Sequence, residues 1–491
     1  MNNSSLKNRG KVMNFKYSVI VAAVASALLA YQPASAQTLQ EAVEQTIRTN
    51  PDVMIDVNRR LETDQNIKQA RGGYLPKVDL GLGIGGEWSD NITTRPGHRT
   101  LTRTESSLTL TQMLYDGAGT SSEVERHTAR QEAAAYKIAG TSEQIGLRAV
   151  ETYLDVLRRQ EELALIQENL AAHERSFGQI KIRADSGVGR KADLEQVQAR
   201  LALSQANVSS SEANLRESMI NFQRVVGEVP SNLSKPTSPE GVPTDADGAV
   251  QTAWANHPIL KSAKADIEAT KAQTRAAEAA LKPRVDLQLG TDWNNKVDGV
   301  DYHDNDAYAM VRLHYNLYHG GADQARVSET KIQTLEATEV MNRTQRQIEE
   351  STRLSWNALQ TAIDRLPKLK EHADASERTR DAYGKQFNIG QRTLLDLLDS
   401  ENELYTARND YVDAQYVLLF AHYRLLADIG RLIESLGVTP REEANPGANT
   451  VTAENTTTAA TPAAAKQDEL PAIDPQPEAV VEPLPESQPA Q

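Results

Sequence analysis

The sequence predicts a mixed α and β membrane protein in which one chain supplies four strands of an oligomeric β-barrel, together with long coiled-coil helices. Three observations predict it. The chain repeats itself at a spacing of about 200 residues. Four short segments carry apolar residues at every second position, and several helical stretches are far longer than those of globular domains.

The repeat comes first because it sets the domain plan. Ala42-Val43 ahead of Asn50-Pro51 recurs as Ala249-Val250 ahead of His257-Pro258. Tyr74-Leu75-Pro76 recurs as Leu281-Lys282-Pro283, and Leu114-Tyr115-Asp116-Gly117 as Leu317-Tyr318-His319-Gly320. Gly189 with Leu194 matches Gly390 with Leu395. Two copies follow, residues 37–227 and 249–433, joined by a linker at 228–248 that contains Pro230, Pro236, Pro239 and Pro243. Each copy reads as a helix ending near a proline, a strand hairpin, a very long helix, a glycine break and a second long helix.

The hairpins are expected at about 76–114 and 283–318. In the first, Val78, Leu80, Leu82 and Ile84 alternate with Lys77, Asp79, Gly81 and Gly83. In the second, Val285, Leu287 and Leu289 alternate with Arg284, Asp286 and Gln288, and Ala309, Val311 and Leu313 return on the partner strand. A two-residue period marks strands with one apolar face, as a soluble sandwich or a membrane barrel requires. Trp88, Trp293, Tyr315 and Tyr318 near the strand ends fit a membrane interface. A sandwich is disfavoured because the four strands come as two isolated hairpins. Four strands are too few for a membrane barrel, so the chain must oligomerise: a dimer supplies eight and a trimer twelve, the latter leaving a passage.

The first long helix is expected over 121–186, started by a capping box of Thr120 and Glu123, and spans roughly 100 Å at 1.5 Å per residue. Its partner is expected at 190–227. The duplicates are expected at 322–388 and 391–433. Leu194, Val197, Leu201, Ser204, Val208, Ser211 and Leu215 recur in three- and four-residue steps, as do Leu395, Leu398, Asn402, Tyr405, Asn409, Val412 and Tyr416. That spacing specifies coiled-coil packing.

At the N-terminus, Lys7, Arg9, Lys11 and Lys16 precede an apolar run and Ala34-Ser35-Ala36, the order of a secretory signal peptide over 1–36. Its removal takes the net charge from −14 to −18, which disfavours nucleic acid as a partner. With no cysteine, the chain has neither disulfides nor a thiol for lipid attachment. Residues 434–491, rich in Pro, Ala and acids, are expected to be a disordered tail. Enzyme signals are poor: Gly81-Leu82-Gly83-Ile84-Gly85-Gly86 lies inside an alternating strand with no helix opening there, and the histidines show no metal spacing. No catalytic, cofactor or metal site is nominated.

The duplicated plan, with Gly390-Gln391-Arg392-Thr393-Leu394-Leu395-Asp396-Leu397-Leu398-Asp399 at its second turn, closely resembles the TolC family of outer-membrane factors over about residues 38–433. The resemblance implies a homotrimer in the outer membrane of a Gram-negative bacterium. Its twelve-stranded barrel meets lipid and continues into an α-helical periplasmic tunnel, which docks on a periplasmic adaptor and an inner-membrane transporter. The acidic pair and proline-rich tail look more like type I secretion components than drug-efflux lipoproteins, which implies an ABC-type transporter and a secreted protein as cargo. Multidrug efflux is the alternative within the family, and a structural envelope tether the alternative from another class.

Asp396 and Asp399 lie three apart, hence on one helix face, where a solvated pair at a helix start is the plain reading. The resemblance implies instead that they form the periplasmic gate, six carboxylates in a trimer. It also implies a closure latch between Arg392 and a carboxylate six residues after the first turn glycine; Glu195 stands six after Gly189. Phe387 replaces the family's latch tyrosine, which predicts a looser closure. Gly187, Gly189 and Gly390 mark the tip turns, and the resemblance makes Gly189 and Gly390 adaptor contacts.

Overall fold

The computed structural model describes residues 36–448. The expected signal peptide, but for Ala36, and the tail from 449 onward lie outside the described residues. Each copy opens with two helices meeting at a proline: α1 (Leu39–Thr49) and α2 (Pro51–Arg71) in the first, α5 (Ala246–Asn256) and α6 (Pro258–Glu278) in the second. Proline at the first helical position costs no hydrogen bond, and the residue before it supplies the cap. Asn50 accepts from the Asp52 amide, and His257 accepts through Nδ1 from the Ile259 amide at 3.2 Å. A histidine can do this only when neutral, and burial pushes its pKa down to about 4.

The strands are β1 (Lys77–Ser89), β2 (Arg99–Tyr115), β3 (Arg284–Asn295) and β4 (His303–His314). Tyr315 and Leu317, expected within the second hairpin, lie just beyond β4. The two hairpins join into one antiparallel sheet of order β1-β2-β3-β4, with Leu110 opposite both Val78 and Leu289.

The long helices are α3 (Gly119–Asp185), α4 (Lys191–Val226), α7 (Ala322–Asn388) and α8 (Leu394–Asp428). At 67 residues each, α3 and α7 run about 100 Å. The expected capping box at Thr120 does not form: α3 starts two residues earlier, after Ala118 in the left-handed region, and the Asp116 carboxylate accepts from the Thr120 amide and hydroxyl, both at 2.6 Å. Glu123 pairs with Arg126 instead.

In the half nearest the sheet, α3 packs against α2 and α6; in the far half it packs against α4 and α8, while α7 packs on α6 and then α8. Thus α2 with α4 and α6 with α8 act as rods broken at mid-height, beside the unbroken α3 and α7. The main core fills that break. Leu39, Val43 and Ile47 of α1 meet Val150, Tyr153 and Leu157 of α3, Phe222 and Val226 of α4, and Leu419, Leu425 and Leu426 of α8. Among the described residues no helix is long and apolar enough to cross a membrane.

Residues 434–448, expected to be disordered, are packed. After Gly430, in the left-handed region, α9 (Leu432–Ser435) leads into a buried Val438; Gln40 donates to the Gly437 carbonyl and Arg441 to that of Arg48. The composition concealed this because main-chain carbonyls carry most of the docking. The Glu143 carboxylate on α3 accepts the Leu432 amide at 2.9 Å and the Ile433 amide at 3.4 Å. Burial raises its pKa from 4.5 to about 8 against these bonds. A raised pKa stabilises the fold fully below about pH 4.5 and loses that stabilisation as pH rises to about 8. Glu143→Gln keeps a carbonyl acceptor without the charge. It should flatten the fall in thermal stability between pH 5 and 8 and be the more stable form at pH 8, by about 1–3 kcal/mol in denaturant titrations.

Candidate functional site

Two regions position chemistry: the helical tip farthest from the sheet, and the sheet itself. At the tip α3 ends at Asp185 and α7 at Asn388; the next helices are capped by Arg190 and Thr393. The carbonyl of Arg183 accepts the Gly189 amide at 2.8 Å, and that of Gln386 accepts the Gln391 amide at 2.9 Å. The left-handed positions are Gly187 (φ 75°) and Gly390 (φ 78°), each three residues before a cap. By geometry, therefore, Gly187 rather than Gly189 is the counterpart of Gly390. Gly189 has a different need: a Cβ there would stand 2.9–3.2 Å from the Arg183 and Ala184 backbone. This register moves the position six residues after the turn glycine from Glu195 to Asp193, a half-buried carboxylate in the first turn of α4.

Arg392 and Glu195 are not brought together within one chain. The Arg392 guanidinium lies over the Tyr383 ring at 4.2 Å, donates to Gln386 at 3.0 Å and stands 3.9 Å from Asp396. Tyr383 is one turn before Phe387, and an aromatic partner for Arg392 was not expected from the sequence. Phe387 is buried among Ile180, Val197, Leu394, Leu397 and Leu398, with the Arg183 guanidinium 5.1 Å from its ring. Apolar packing thus occupies the place of a hydroxyl. Leu395, expected on the coiled-coil seam, is exposed instead; Leu394 and Leu398 fill the tip core.

Asp396 closes a capping box: its amide donates to Thr393 Oγ1, and its carboxylate accepts the Thr393 hydroxyl at 2.9 Å and amide at 3.2 Å. These bonds hold its carboxyl below the ordinary value. Asp399, 59% exposed, pairs with Arg200 of α4 at 3.2 Å, linking the two copies near the tip. Arg200 was not singled out in the sequence because its partner lies some 200 residues away. Both carboxylates remain accessible to solvent.

On one face of the sheet Val78, Leu80, Leu82 and Ile84 are exposed, Leu82 at 74%, with Leu108, Leu289, Trp293, Val311 and Leu313 continuing the surface. The other face carries Asp79, Glu87, Arg103, Glu105, Asp292 and Asp306, Arg103 pairing with Glu87 at 2.9 Å. An apolar band backed by a polar face is what lipid outside and water inside demand. In the helical part, a groove of about 720 Å³ mixes the charged Arg148, Glu151, Asp155, Arg158, Asp410 and Asp413 with the apolar Leu154, Val417 and Phe420. Among the described residues the outer edges of β1 and β4 are unpaired, and α7 exposes Ile332, Leu335 and Leu354 along its flank. One chain is an unclosed segment of wall.

The family model described as outer membrane efflux protein matches residues 42–228 and 249–431, one match to each copy. The chain belongs to the outer membrane efflux protein family. It is 24% identical over 406 residues to the outer membrane efflux protein BepC of Brucella suis, covering 82% of this chain and 88% of BepC. It is also 24% identical to the alkaline protease secretion protein AprF of Pseudomonas aeruginosa, with 83% and 87% covered. The Campylobacter jejuni CmeC outer membrane channel has the same fold, at a TM-score of 0.71 and 13% identity over 83% of this chain and 89% of that one. The protein is thus a TolC-family outer-membrane channel of export systems and not an enzyme. Its four strands are one third of a twelve-stranded barrel, continuous with a helical periplasmic tunnel.

Proposed function

We propose that three copies form the outer-membrane exit of a tripartite export system that releases a secreted polypeptide, working with a periplasmic adaptor and an ABC-type inner-membrane transporter. The observation that carries the gate is the exposure of Asp396 and Asp399 beside the tip turn, on the one helix start that also holds Arg392. In a closed trimer three such pairs form a ring of carboxylates that admits cations and resists anions. Arg392 latches across a subunit boundary, with Asp193, or Glu195 two residues on, as its acceptor. The turns at Gly189 and Gly390 receive the adaptor.

The polypeptide cargo is supported by the match to AprF, named for protease secretion, across most of both chains. Small-molecule efflux is the second reading, favoured by the equal identity to BepC. Deleting the gene separates them. Loss of one or more proteins from the culture medium, with drug susceptibility unchanged, is the expected result. Unchanged secreted protein with at least fourfold greater drug sensitivity would replace it with efflux.

A further inference from the structure

The linker between the copies does more than connect them. Residues 228–245, ahead of α5, cross α3 and α8 where the two helices meet, and three side chains fasten the linker there. The Tyr153 hydroxyl of α3 lies 2.7 Å from both the Ser234 and the Gln37 carbonyls, to one of which it donates, and accepts the Ser234 amide at 3.0 Å. Tyr423 of α8 donates to the Thr237 carbonyl at 3.0 Å. Between these, Lys235 Nζ donates at 3.0 Å both to Glu161 on α3 and to Gln415 on α8, and stands 4.7 Å from the centre of the Tyr416 ring. The Tyr416 hydroxyl closes the circuit by donating to Glu161 at 2.7 Å. One ammonium group therefore bridges two helices of different copies, beside the direct Arg158–Asp413 pair at 2.8 Å and the buried Leu157 and Leu419.

Toward the tip the attachment of α3 to α8 changes character. Arg408 reaches Glu168 at 3.0 Å, an exposed pair that adds little. At the turn, Ile180 of α3 shares a small apolar cluster with Leu394, Leu397 and Leu398 of α8 that must part for the tip halves to separate. From Glu161 to the end of α3, and from Tyr416 back to the start of α8, each helix runs about 35 Å. A tilt of a few degrees about the Lys235 level displaces the tip by several ångströms, enough to part side chains that touch there.

We propose that Lys235 is a positioning residue for channel opening: it rivets α3 to α8 at mid-height and fixes the point about which their tip halves separate. The inference rests on the reading that the tip gate opens by separation of the two copies, and it concerns where that motion starts. A lysine suits the task because its three donors reach two acceptors at once while the ring of Tyr416 stabilises its charge.

The absence of cysteine allows paired spin labels to test this in the purified trimer. Glu174→Cys with Glu403→Cys reports the separation of α3 and α8 on the tip side; Glu151→Cys with Arg424→Cys reports it on the sheet side. Lys235→Ala should broaden the tip-side distance distribution and raise the open fraction about fivefold, the low end of typical coupling between linked elements. The sheet-side distribution should stay unchanged, and Lys235→Arg should restore the tip-side width. Tyr416→Phe, which keeps the ring and loses the bond to Glu161, should give an intermediate width. Broadening on both sides would mark a merely structural contact, and no change on either side would remove the rivet; both outcomes overturn the proposal. Distances are read without conduction, so a rivet that holds in a channel whose carboxylate gate fails its own test remains distinguishable.

Discussion

Replacing both Asp396 and Asp399 by alanine should raise single-channel conductance in planar bilayers severalfold and abolish block by multivalent cations at micromolar concentration. Six carboxylates in a narrow ring bind a trivalent ion because each adds to an attraction that a low-dielectric wall screens poorly. The two residues are not equivalent. Asp396 closes the capping box at the start of α8, so Asp396→Ala alone loosens the helix start besides removing a charge. Asp399→Ala frees Arg200 of this partner, which leaves a cation beside the proposed ring. Asp399→Ala should therefore weaken cation block more than Asp396→Asn, which retains a capping acceptor. Conductance and block identical to the parent in the double variant would show that the narrowest point lies elsewhere.

An arginine on the apolar face of the sheet should prevent assembly. Leu82 lies midway along β1 and is among the most exposed large apolar residues of the chain. Arg at the bilayer midplane of a barrel costs about 2–4 kcal/mol, and a homotrimer bears that cost three times. Leu82→Arg should eliminate heat-resistant trimer from outer-membrane fractions. Ser107→Arg, one residue over in register and on the polar face opposite Asp292, should leave trimer yield within about twofold. Equal yields of the two variants would reverse the assignment of faces.

Much of the fold was legible because it rests on local periodicity. The alternation of Val78 to Ile84 defines a strand with one apolar face wherever that strand is placed, and the apolar steps of α4 define a helix seam. Asn50-Pro51 and His257-Pro258 mark helix starts because proline acts on its immediate neighbours. The misplaced features share the opposite property. Thr120 looked like a cap, but the Asp116 carboxylate four residues earlier takes both its amide, which the Glu123 carboxylate would have accepted, and its hydroxyl. Residues 434–448 looked unable to fold because their burial is supplied by α1, α2 and α3, far away in the chain.

The candidate site divides in the same way. The turn sequence from Gly390 to Asp399 placed the two carboxylates and Arg392 at one helix start, and there the structure has them. The partners were not legible. Two glycines, Gly187 and Gly189, both fitted the first turn, and only backbone dihedrals distinguish the one that needs the left-handed region from the one pressed against Ala184. Sequence by itself determined that this chain is a duplicated segment of a membrane wall, because hydrophobic period, proline and glycine act over a few residues. Tertiary structure alone decided that the hairpins share one sheet, that Asp399 meets Arg200, that Arg392 rests on Tyr383 and that Lys235 joins α3 to α8. Those contacts form between residues brought together by the packing of long helices, where a small shift in register exchanges one partner for another.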